Sequence, residues 1–172
     1  MSGRAALVAA IAMLGACGGQ PAKETAPPRV NVEAKLVGIG GSSANGSAVL
    51  YETRSGVDVN VWLGSAGPGQ YRIAVHENGN CSSPNGFSAG PPWGPPGGKP
   101  VAVLFDKGDD TRTVIVSLPG YRLAGPNGVT GRSVIIHAGP ASTLEAQPGV
   151  ANNRIACGVI GNPVQLFPAL GL

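Results

Sequence analysis

"QYRIAVHENGNC", residues 70–81, switches between apolar and polar side chains with a period of two before it breaks into turn residues. In an extended strand that period sends Ile73 and Val75 to one face and Arg72, Ala74 and His76 to the other. "RSVIIHA" (132–138) repeats the arrangement, with Val134 and Ile136 on one face and Ser133, Ile135 and His137 on the other. These two runs hold both histidines of the chain, and each is followed by a cysteine, Cys81 and Cys157. If the aliphatic pairs fill a barrel, both imidazoles stand on its outer wall, where overlying loops can cover them. A bulge in either strand would reverse that placement.

Six further runs alternate in the same way: "VNVEAKLVG" (30–38), "SAVLYET" (47–53), "VDVNVWLG" (57–64), "VAVLFD" (101–106), "RTVIVSL" (112–118) and "RIACGVI" (154–160). The separators are turn chemistry, as in "RSG" (54–56), "GPG" (67–69) and "DKGDD" (106–110). With 28 Gly and 16 Pro among 172 residues, no stretch keeps the 3.6-residue period of a helix. Eight short strands with regular turns predict an all-β domain, an antiparallel sandwich or Greek-key barrel.

The first residues are a targeting segment rather than part of that domain. Arg4 precedes "AALVAAIAMLGA", which is too short to span a bilayer, and the run ends in Leu14, Gly15, Ala16 and Cys17. That ending reads as a bacterial lipoprotein box, which makes 1–17 a signal peptide and Cys17 the lipidated residue. An ordinary secretory signal with an incidental cysteine is the plainer alternative. One acyl chain holds a membrane only marginally, so a stable anchor needs the two or three chains that lipoproteins carry. Residues 18–29, "GGQPAKETAPPR", read as a flexible tether, and 30–172 as the folded domain. Gly18 and Gly19 lack the aspartate that holds lipoproteins in the inner membrane, so the expected place is the outer membrane, facing the periplasm.

Without Arg4 the net charge falls from +3 to +2, and no Lys/Arg cluster stands out, so no nucleic-acid partner is expected. Met1 and Met13 both lie in the signal, which leaves the mature chain no thioether for a metal. Two cysteines remain after Cys17, and in an oxidising compartment Cys81 and Cys157 most simply pair. A metal-ligand role for them is the other reading.

"GVDVNVWLGSAGPGQYRIAVHENGNC" (56–81), "FSAGPPWGP" (87–95), "GRSVIIHAG" (131–139) and "NNRIACGVIG" (152–161) resemble the exported bacterial copper-zinc superoxide dismutases. The match extends from about residue 30 to 162. The resemblance implies an eight-stranded antiparallel Greek-key β-barrel and a disulfide between Cys81 and Cys157. It also implies a copper held by four imidazoles, one of them shared with zinc. Here the family's His-x-His-Glu reads "AVHE", with Ala74 at the first histidine and His76 at the second. Pro92 stands at the bridging position, and His137 matches the last copper ligand. The long zinc-binding loop is reduced to "PPGGKP" (95–100), and Ala141 or Ser142 replaces the carboxylate that ties the two metal sites together. Arg154 matches the arginine that guides the anion to copper.

Two imidazoles cannot build a four-nitrogen copper site within one chain. Copper is therefore expected only at a two-histidine remnant, where Glu77 offers a further oxygen, and zinc is not expected. Arg154 either steers an anion, if the domain is active, or donates to loop carbonyls beside the disulfide. Trp93 is either an exposed anchor for a protein partner or a cap under its own loop. Three functions follow from this pattern. The first is an envelope lipoprotein with a superoxide-dismutase-like domain acting as a non-catalytic binding or structural module. The second is dismutation of superoxide at His76, His137 and a borrowed ligand. The third is weak capture or transfer of copper. The first is the reading adopted.

Overall fold

The computed structural model describes residues 30–108, 113–139 and 153–161. The signal, Cys17, the tether, Ala141, Ser142 and the end of the domain beyond Gly161 lie outside the described residues. Eight strands form where alternation meets turn chemistry: β1 (Asn31–Gly38), β2 (Asn45–Glu52), β3 (Gly56–Gly64), β4 (Gly69–His76), β5 (Ala102–Lys107), β6 (Val114–Pro119), β7 (Ser133–Ala138) and β8 (Arg154–Val159). Each lies within two residues of its expected limits at either end, the expected span of β4 being "YRIAVHE" (71–77).

Every pairing is antiparallel, in the order β5-β4-β7-β8-β1-β2-β3-β6. The result is a nearly closed Greek-key barrel with β5 and β6 at its open seam. In the β4–β7 pair, Ile73 lies opposite Ile136 and Val75 opposite Val134. All four are fully buried in one interior cluster with Val32, Leu36, Leu50, Val59 and Leu118 from the other side of the barrel. A side chain of this size contributes roughly 1.5–3 kcal/mol when taken out of water, so the interior dominates the stability of the fold.

A second, smaller cluster lies outside the barrel. Ile135 and Cys157 on the outer wall pack with Ile39, Ala89 and Cys81. The Cys81–Cys157 disulfide spans 76 residues with its Cα atoms 5.7 Å apart, and it fastens the connection after β4 to this wall. That connection turns through a short 3₁₀ segment, Phe87–Ala89, between Gly86 (φ 73°) and Gly90 (φ 76°). Both glycines occupy the left-handed region that a side chain resists. At the end of the barrel Trp93 packs against the core, edge-on to Tyr121 with ring centroids 5.5 Å apart and under the Arg132 guanidinium. It caps the barrel rather than standing out as an anchor.

Candidate metal centre

The β4–β7 register runs without a break, so the parity of the two histidines stands: both point outward. His76 lies opposite Ser133 and His137 opposite Arg72, with the Ala74–Ile135 rung between them. The rings lean toward each other over that rung, where the Ala74 methyl leaves room. Their centroids are 5.6 Å apart, the planes are inclined by 24°, and the two Nε2 atoms are 3.4 Å apart. The loop that follows β4 roofs them. Pro92 bridges to His76, and both imidazoles are at most 1% exposed.

Each ring is held by its other nitrogen. His76 Nδ1 lies 2.9 Å from the Gly90 carbonyl, and His137 Nδ1 lies 3.4 Å from Asn153 Oδ1. Burial pushes the His76 pKa down from 6.5 to about 4; the Gly90 bond opposes that shift, and the Arg154 charge adds to it. Burial also lowers the His137 pKa, to about 3, helped by His76, Arg154 and Arg72 and opposed by Asn153. Both imidazoles are therefore neutral at pH 7.

A bulge does occur, but in β8. Ile136 pairs with Ala156 and His137 with Arg154, so Ile155 is the extra residue. The bulge turns Arg154 toward the wall that carries His137. There its guanidinium donates to the Gly86 carbonyl at 2.7 Å and to the Gly90 carbonyl at 3.4 Å, and it lies over Phe87. These contacts tie the roof down beside the disulfide. Arg72, 1% exposed, donates from Nε to the Gly139 carbonyl at 3.0 Å on the same wall.

Glu77 does not join the histidines. The residue after His76 faces the other way, and it lines a surface cleft of about 480 Å³ with Leu123, Thr130 and Arg132. Among the described residues no three His, Cys, Asp or Glu side chains are grouped closely enough to hold a metal ion. A copper-zinc pair needs four imidazoles on copper and further ligands on zinc; Ala74 and Pro92 offer a methyl group and a pyrrolidine ring. The donor set does not fit that pair. Parity alone groups Arg72 with the histidines, whereas nothing in the sequence marks Asn153, whose contacts come from the turn into β8.

An eight-stranded Greek-key barrel with a cross-linked roof over outward histidines defines the superoxide-dismutase class of fold. A model of the copper/zinc superoxide dismutases matches residues 44–160, and the chain belongs to that family. "Superoxide dismutase [Cu-Zn] 2" of Brassica juncea is 31% identical over 112 residues, covering 55% of this chain and 73% of that protein. The Cu/Zn superoxide dismutase from Brucella abortus has a similar structure, with a TM-score of 0.57 at 22% identity. That match covers 76% of this chain and 99% of the other, and at such identity it speaks to the fold alone.

Proposed function

We propose that this chain is an exported, lipid-anchored envelope protein whose superoxide-dismutase-like domain is a non-catalytic binding or structural module. One observation carries the reading. The pocket where a member of this family would cycle copper contains two neutral imidazoles, while Ala74 and Pro92 occupy the positions of two further rings. Cupric ion asks for a tetragonal set of nitrogen and oxygen donors, and zinc for four donors. Two rings do not supply either. Arg154 donates to the Gly86 and Gly90 carbonyls, a structural use of the residue that guides the anion in relatives.

The Leu14–Cys17 box supports lipidation at Cys17, and the Cys81–Cys157 disulfide suits a periplasmic location. The anchor presents the domain from the outer membrane to a protein partner. Superoxide decay followed by pulse radiolysis, on protein incubated with copper and zinc and then desalted, tests the catalytic half. The expected rate is that of the metal-free protein, and turnover at the level of a four-imidazole relative overturns the reading. Incorporation of labelled palmitate, lost in Cys17→Ser, tests the anchor.

A further inference from the structure

Arg132 is fixed at the end of the barrel that Trp93 caps. Its guanidinium lies over the Trp93 ring, 3.6 Å from the centroid. Nε donates to the Gly128 carbonyl at 3.0 Å, and Nη1 donates to the main-chain carbonyl of Glu77 at 3.1 Å. Nη2 keeps both of its N–H donors, and the Glu77 carboxylate has no hydrogen-bond or ion-pair partner among the described residues. Both groups line the cleft of about 480 Å³, so it carries two opposite charges that do not neutralise each other. The rest of its wall is apolar or bare. Leu123 belongs to the main hydrophobic cluster, and a Cβ added at Gly125 or Gly131 would meet no atom within 4 Å. A space of this size lies in the range of small-molecule sites, about 300–1,000 Å³.

We propose that this cleft binds a small zwitterion of the α-amino-acid type, with Arg132 taking its carboxylate, Glu77 its ammonium group and Leu123 its aliphatic side chain. A guest with only a negative charge is repelled by the Glu77 carboxylate, and one with only a positive charge by Arg132. A guest that carries both charges satisfies both groups with charge-assisted hydrogen bonds. The bonds to Gly128 and Glu77 already hold the guanidinium plane, so little side-chain freedom is lost when a carboxylate docks on Nη2. No residue lining the cleft belongs to the imidazole pocket, so the site stands or falls apart from the non-catalytic reading.

The full chain is titrated with L-leucine, N-acetyl-L-leucine and L-leucinamide, which present the zwitterion, the anion and the cation on one side chain. Binding is followed by calorimetry and by ¹H–¹⁵N spectra, in which the Gly125 and Gly131 amides report on the cleft. Leucine is expected to move both amides and to bind about tenfold or more tightly than either derivative. Glu77→Gln alters an exposed side chain and is expected to weaken leucine by about tenfold. N-acetyl-L-leucine gains affinity in the same variant, so the preference for the zwitterion disappears. Arg132→Lys, checked for fold by circular dichroism, is expected to weaken leucine and N-acetyl-L-leucine alike, because both dock a carboxylate on the guanidinium. Leucine that leaves both glycine amides unmoved, equal binding of the three probes, or an unchanged preference in Glu77→Gln overturns the site.

Discussion

The inner and outer walls of β4 and β7 are made by the same residues read at alternate positions, yet they differ in kind. Inside, Ile73, Val75, Val134 and Ile136 are an uninterrupted aliphatic set at 0% exposure. Outside, Arg72, Ala74, His76, Ser133, Ile135 and His137 mix charge, imidazole, hydroxyl and methyl groups under a cross-linked loop. A period of two makes the walls independent, because a substitution at an even position leaves the odd positions untouched. Ligands can be deleted from one wall while the other continues to specify the barrel. A retained fold in this family therefore says little about retained chemistry.

Removing the tie on the outer wall has the largest expected effect. The Cys81→Ala, Cys157→Ala double variant frees a 76-residue separation and is expected to lose about 4–5 kcal/mol by the loop-entropy argument, read from urea unfolding. A loss below about 1 kcal/mol would mean that the roof stands without its cross-link.

On the inner wall, Ile136→Ala is expected to cost about 2–5 kcal/mol, since Ile136 is fully buried in the main cluster. The same denaturation measurement gives the comparison directly.

Acid is the next probe, and it acts only outside the barrel. His76 and His137 have folded pKa values of about 4 and about 3, below the ordinary 6.5. The unfolded chain therefore binds more protons than the folded one as pH falls below about 6.5. Stability contributed by the neutral pair is complete above that pH and drains away toward pH 4, by about 3 kcal/mol for His76 alone. Thermal unfolding at pH 7, 5.5 and 4 checks this. A flat profile that matches that of a His76→Leu, His137→Leu variant would show that the rings are not buried as described.

The smallest effect is expected for His76→Leu at pH 7, within about 1 kcal/mol of the parent in the same assay. The Gly90 carbonyl keeps the Arg154 donor, and leucine fills a similar volume. A loss as large as that of Ile136→Ala would erase the contrast between the walls.

The barrel was legible because its information is local. Alternation placed the eight strands, Gly and Pro placed the turns, and parity put His76 and His137 outward. What stayed hidden depends on contacts between distant segments. The β8 bulge at Ile155 redirects Arg154, and a bulge of one residue leaves no trace in "RIACGVI". Asn153 meets His137 across 16 residues, through a side-chain bond that no spacing rule encodes. Glu77 was legible in principle, since the two-residue period already turns it away from His76; its place in the family motif pointed the other way.

The Gly90 carbonyl receives both the His76 Nδ1 proton and an Arg154 N–H, so the cover over the pocket is latched from below by β4 and β8 at once. With the Cys81–Cys157 bond beside it, the cover is part of the barrel wall rather than a flap upon it, and the face it presents is set once the chain has folded and oxidised.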